Sequence, residues 1–159
     1  MSPTTESSQA QTGSPRLLGS FRLPRLAHAR VLDAMRPGVI GVSPETPLRE
    51  VARTLASKHI HCVVVNDDGE VGAQRSHAMI SALDLLSAAA NEAFEDRTAA
   101  DLAVDEPPTV STDDHLERAV KLMADRRAEH VLVCDAEHGD PVGILSTLDV
   151  AGVMAWGEA

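Results

Sequence analysis

Two short elements of this 159-residue chain carry the residue types of a ligand site: Ser81 with Asp84, and Ser146 with Asp149. A Ser-x-x-Asp placed where a strand gives way to a helix aims backbone N–H groups and the positive end of the helix dipole outward, which suits a phosphate. The hydroxyl adds a donor for a phosphate oxygen. The carboxylate one turn on accepts two hydrogen bonds from a ribose diol. The same spacing also describes a capping box, with serine at the N-cap and the acid at N3, which stabilises a helix and binds nothing. What decides between the two is the set of elements around each pair.

Those elements come twice. Leu48, Val51, Ala52, Leu55 and Ala56 recur 68 positions later as Leu116, Ala119, Val120, Met123 and Ala124, at helical spacing both times. Each stretch is followed by a β-branched run, residues 63–65 and then 131–133, and by an acidic turn residue, Asp67 or Asp135. The chain therefore reads as two copies of a strand-helix-strand-strand-helix unit. The first opens with a helical turn at residues 31–35 and a strand at 39–42. Its helix takes Thr46 as N-cap and Pro47 at N1 and runs to about Ser57. The runs 62–65 and 131–134 are too uniformly apolar for a solvated edge and are expected at the centre of their sheets. A hairpin through Asp67-Asp68-Gly69 leads to a strand over 78–80, and one through residues 137–140 to a strand over 142–145. Units of about 60 residues are marginal alone, so their sheets should be buried against one another with a cleft along the seam.

Composition excludes several roles. Residues 31–159 carry 10 Lys and Arg against 23 Asp and Glu, a formal net of −13, and such a body repels polyanions. Phe21, Phe94 and Trp156 are the only aromatic residues, so base stacking has no platform. Nucleic acid is thus not an expected partner. Nor is a membrane, because no stretch approaches the roughly 20 apolar residues of a span. Residues 1–15 are rich in Ser, Thr, Gln and Gly without an apolar core, which reads as a disordered tail and a cytoplasmic protein. Residues 17–32 mix apolar and arginine positions in the manner of a membrane-touching helix, but Pro24 interrupts it, and a packed lead-in is the better reading. The division expected is 1–27 tail and lead-in, 28–95 first repeat, 96–159 second repeat. Cys62 and Cys134 occupy non-equivalent places and read as isolated thiols.

The repeated pieces resemble a pair of CBS domains, the tandem arrangement also called a Bateman module. The resemblance is carried by Asp33 to Met35, residues 42–48, residues 110–116, residues 130–135 and Gly143 to Asp149, in that order. It implies an α/β (α+β) fold of two βαββα repeats packed as a pseudo-twofold pair through their sheets, a cleft that often holds an adenosine nucleotide, and frequent homodimers. By the same resemblance, Ser81 and Ser146 would face phosphate, and Asp84 and Asp149 would hold the ribose hydroxyls. Adenine would lie against Cys62, Val63 and Val64 or His130, Val131 and Leu132, with Val39 and Ile40 or Thr109 and Val110 from the first strands. Gly143 favours the Asp149 side, since Ala78 stands at the equivalent place in the first copy. Lys58, His59, Arg126 and Arg127 are the cations available to a phosphate tail, or solvated helix ends complementing the dipole.

Other chemistries have less behind them. His59, His61 and Cys62 with His130, Cys134 and His138 would make a zinc set only if the cleft apposed them, and their spacing matches no compact zinc signature. No metal is therefore assigned. No nucleophile-base pair and no Gly-rich phosphate loop stand at a recognisable spacing, so neither catalysis nor a catalytic cofactor is expected. The reading is a regulatory module that senses an adenosine compound and signals through dimer geometry. The alternative is a ligand-free dimerisation module whose Ser-x-x-Asp elements are caps and whose acidic surface recruits a protein partner.

Overall fold

The structure, a computed structural model, describes residue 26 and residues 28–67, 77–91 and 94–156. The expected tail, most of the lead-in and the hairpin at Asp68-Gly69 lie outside the described residues. A helical turn α1 (Val31–Ala34) and the two-residue strands β1 (Arg36–Pro37) and β2 (Gly41–Val42) come first. They are followed by α2 (Leu48–Lys58), β3 (Cys62–Val65), β4 (Ala78–Ser81) and α3 (Ala82–Ala90). A 3-10 turn at Ala99–Asp101 then leads to β5 (Val104–Asp105), β6 (Thr109–Ser111), α4 (Leu116–Arg126), β7 (His130–Cys134), β8 (Pro141–Ser146) and α5 (Thr147–Trp156). The duplicated βαββα units are β2-α2-β3-β4-α3 and β6-α4-β7-β8-α5.

The helices form where the apolar spacing required them. Leu48, Val51 and Leu55 are the buried face of α2, and Leu116, Ala119 and Met123 that of α4. The start of α2 differs from expectation: Pro47 is the N-cap, and Thr46 lies outside it with its hydroxyl 3.2 Å from Ser43 Oγ. The proline has an extended ψ of 141°, so its ring delivers the chain to the helix without joining it.

Two four-stranded sheets result, in the orders β2-β3-β4-β5 and β1-β8-β7-β6. As expected, β3 and β7 are interior strands, each parallel to the strand before it and antiparallel to the next. Val63 and Val65 face one core, and Val131 and Val133 the other. Cys62, Val64 and Leu132 point the opposite way by strand alternation and are buried too. Both sheet faces are therefore covered, the second by the partner repeat.

The two edge strands β1 and β5 are exchanged. β1 precedes the first repeat but pairs antiparallel with β8 of the second, and β5 precedes the second repeat but pairs with β4 of the first. The segments next to them cross with them. Val31 is fully buried in the second core, its N–H bonded to Asp114 O at 2.9 Å, while Ala99 fills the first core and its N–H bonds Thr46 O at 2.8 Å. The turn at 31–34, read as the opening of the first repeat, thus packs on the second. The expected strand over 39–42 is shortened to Gly41–Val42, because residues 38–40 carry the chain from one sheet to the other. Among the described residues no helix is long and apolar enough to cross a membrane.

Candidate functional site

Where β1 crosses to β8 it walls a cavity of about 400 Å³ between the repeats. Residues 36–40 form one side, residues 60–62 and 129–130 the floor at the starts of β3 and β7, and Ile144 with residues 146–149 the other side. The crossing is held in register by Arg36 opposite Ile144 and Pro37 opposite Gly143, and by Gly38 N–H donating to Val142 O at 2.8 Å. Gly38 takes φ +91°, which a residue with a side chain adopts only under strain. Gly143 is needed for a different reason from the one expected. A Cβ there would stand 2.6 Å from Arg36 O and 3.0 Å from Met35 Sδ, so the close approach it permits is by the protein's own β1.

Both Ser-x-x-Asp elements form complete capping boxes. At the start of α5, Asp149 Oδ2 accepts from Ser146 N (2.9 Å) and Ser146 Oγ (2.5 Å), and Asp149 N donates back to Ser146 Oγ at 3.2 Å. At the start of α3 the corresponding distances for Ser81 and Asp84 are 2.7, 2.6 and 3.2 Å. The cap reading is geometrically satisfied in each copy, and each serine hydroxyl proton is committed to its own aspartate. What separates the copies is the other carboxylate oxygen. Asp149 Oδ1 accepts from Arg36 Nε at 3.0 Å, with the Asp149 side chain 11% exposed and Arg36 64% exposed. The position equivalent to Arg36 in the second copy is Val104, followed by Asp105 and by Glu106 at φ +52°, where the first copy has Gly38.

Of the residues singled out in the sequence, Val39, Ile40, His61, Cys62, His130, Ser146 and Asp149 line this one cavity. Val39, Ile40 and Cys62 thus stand with Asp149, and the edge-strand crossing is the reason. Val63, Val110 and Val131 project into the two cores, so their side chains face no cleft. Val64 and Leu132 are buried on the inter-repeat face, and their N–H groups are engaged by Ile40 O and Pro108 O, both at 2.9 Å. Backbone donors for an adenine are therefore not available at those two residues. Thr109 donates its hydroxyl to Pro107 O, and Ser81 and Asp84 belong to the other strand-helix junction, outside the cavity. Lys58, His59, Arg126 and Arg127 stand at the C-terminal ends of α2 and α4, next in sequence to the cavity floor, but do not themselves line the cavity. Arg36, Gly38, Ile60 and Glu129 line it and were not singled out in the sequence, and Ile144, expected there only as part of a strand, lines it too. The one sequence signal was the cation beside a Pro-Gly breaker, and it does not reveal that the breaker leads to the opposite sheet.

The floor is electrostatically distinctive. His61 and His130, one from each repeat, stack with ring centroids 6.2 Å apart and planes 22° from parallel. Burial pushes the His130 imidazole below its ordinary value, Glu129 pulls it up, His61 pushes it down, and Asp149 and Asp84 add smaller upward pulls. Burial drives the Cys62 thiol up to about 12, so it is an unreactive part of the wall. Cys134 and His138 sit at the opposite end of β7, where His138 bonds Asp135. Among the described residues no group of three or more His, Cys, Asp or Glu is placed to hold a metal.

The family model for the CBS domain matches the chain twice, over residues 31–91 and 99–155. No curated protein is a significant match. Solved structures are. The CBS domain protein PAE2072 from Pyrobaculum aerophilum, complexed with AMP, is 27% identical over 76% of this chain and 89% of its own, with a TM-score of 0.65. CBSX2 in complex with AMP is 26% identical over 79% and 96%, TM-score 0.62. The CBS domain pair of protein MJ0100, in complex with 5′-methylthioadenosine and S-adenosyl-L-methionine, shares the fold at 19% identity over 82% and 98%, TM-score 0.69.

Proposed function

The chain belongs to the CBS domain family as a tandem pair, and from that premise we propose that it is a non-catalytic regulatory module that binds an adenosine nucleotide in the cleft between its repeats. The observation that carries this reading is the cavity itself, with apolar walls from Val39, Ile40, Ile60 and Ile144 and a carboxylate, Asp149, at one end. A purine fits between the aliphatic walls, and the ribose diol takes the Asp149 oxygen that faces Arg36. Ser146 serves the ligand by holding Asp149 in place. The AMP complexes of PAE2072 and CBSX2 support this ligand class. Binding draws β1 and the α5 start together, and so biases whatever arrangement of two chains presents that closed cleft. The exposed Leu86 and Met154, rimming shallow grooves against α2 and α4, suit a homodimer that buries both. Both cysteines are free thiols, in keeping with a cytoplasmic setting.

A second reading, a ligand-free dimerisation module that recruits a protein partner, draws on the completeness of both capping boxes. Thermal unfolding against adenosine, AMP, ADP, ATP and S-adenosylmethionine separates the two. A ligand at 100 times its Kd stabilises by about 2.7 kcal/mol and raises the midpoint by several degrees. Asp84→Ala and Asp149→Ala should each lower the midpoint through a lost cap, about 1 kcal/mol. Only Asp149→Ala should also abolish the response. A folded wild type that responds to no compound overturns the nucleotide reading in favour of the second.

A further inference from the structure

We propose that the cleft selects a nucleoside monophosphate, and that Arg36 is the residue that reads its single phosphate. This rests on the nucleotide reading above and narrows it to one ligand class, from this chain's own charges.

Asp149 has one carboxylate oxygen to offer. Its Oδ2 is filled by the N–H and hydroxyl of Ser146, so a ribose meets Oδ1, the oxygen that Arg36 Nε–H already holds at 3.0 Å. The Arg36 side chain makes no other hydrogen bond among the described residues, so both Nη groups of its guanidinium remain to form a fork on an oxyanion one sugar away from the diol. The backbone beneath that side chain is pinned by β1–β8 pairing and by the missing Cβ of Gly143. Arg36 therefore steadies the carboxylate and meets the phosphate with one planar group.

The charge around it limits the phosphate count. Of the described residues lining the cavity Arg36 is the single Lys or Arg, and Glu129 and Asp149 are acids. His130 adds no second permanent cation, since burial beside His61 favours its neutral form. A second or third phosphate would bring one or more further negative charges to a lining that has no further Lys or Arg among the described residues, on a chain of formal net charge −10. The other strand-helix junction, at Ser81 and Asp84, has no counterpart to Arg36, because Val104 stands at the equivalent position and Asp105 and Glu106 follow. One chain therefore holds one such ligand.

Titration calorimetry of the full chain with adenosine, AMP, ADP and ATP, without and with magnesium, tests this. One site per chain is expected, with AMP about tenfold or more tighter than adenosine, the difference one charge-assisted pair makes, and ATP weaker than AMP. Arg36→Gln should abolish the preference for AMP over adenosine, both affinities being measured in the folded variant, and Arg36→Lys should restore part of that preference. Sodium chloride should weaken AMP and leave adenosine unaffected. ATP binding as tightly as AMP, two equal sites, or an AMP preference that survives in folded Arg36→Gln would overturn the inference while leaving the nucleotide reading intact. Failure of all four compounds to bind the folded wild type would overturn both.

Discussion

Asp84 and Asp149 close the same four-residue box, yet only Asp149 looks across the cleft at an arginine. The cap explains why an acid stands at both places; the partner on a different strand explains why one of them has a further use. The histidines repeat the lesson. His130 is the equivalent of Cys62, and its stacking on His61 follows from the packing of one repeat on the other. A measurable consequence lies in the pH dependence of stability. Burial holds folded His130 below its ordinary value of 6.5, against upward pulls from Glu129, Asp149 and Asp84 and with a downward push from His61. In the unfolded chain it titrates near 6.5. Below that pH the unfolded state takes up a proton that the folded state resists, so stability is full above about pH 6.5 and falls as the pH drops towards the folded value. His77, also lowered by burial, contributes in the same direction. Urea midpoints between pH 7.5 and 5 should therefore fall less steeply in His130→Asn than in the wild type; parallel curves would show that His130 has no part in it.

Elements carry constraints that residue types alone conceal. Both repeat helices end on a residue in the left-handed region, His59 at φ +54° after α2 and Arg127 at φ +51° after α4, and neither is glycine. Each satisfies the end of its helix, with Ile60 N–H bonding Leu55 O and Ala128 N–H bonding Met123 O, at the cost of a strained backbone. His59→Gly and Arg127→Gly should each stabilise the protein by about 0.5–1 kcal/mol, read as a rise in urea midpoint, since both side chains are exposed. A fall would mean that these side chains make contacts worth more than the strain. Gly38 and Gly143 illustrate the opposite case, where glycine stands where it is required: one turns the chain from β1 towards β2, the other lets β1 lie against β8.

At the scale of the molecule the exchanged edges bind the two repeats into one folding unit. The first core is completed by Ala99 from beyond the end of the first repeat, and the second by Val31 from before the beginning of the first. A chain divided after Asn91 leaves each half without the segment that fills its core and with one that belongs to the other. Each half produced alone should show no cooperative unfolding by circular dichroism, while mixing the two should restore the transition, the outcome expected of units of about 60 residues that are marginal even when complete. A cooperative transition in either half alone would show that the exchange is dispensable.

The duplicated fold was legible in the residues because its signals are local. The spacing of Leu48, Val51 and Leu55 and of Leu116, Ala119 and Met123 specifies a helix face, the apolar runs at 62–65 and 131–134 specify covered strands, and Ser-x-x-Asp specifies a helix start whatever lies nearby. The site was legible only in part. Asp149, Ser146, Val39, Ile40, Cys62 and His130 share a cavity, whereas Val63, Val110 and Val131 are core residues. Their direction depends on strand alternation counted from a register no local pattern supplies. Arg36 was invisible for a stronger reason. Its partner lies 113 residues away on a sheet it joins through two residues, and edge-strand pairing of that length has no sequence period to reveal it. Residue types and their spacing specify the elements, their duplication and the acid at each helix start. Which acid meets a cation depends on long-range pairing, and so on how the two repeats bury each other's surfaces and on no residue's own preference.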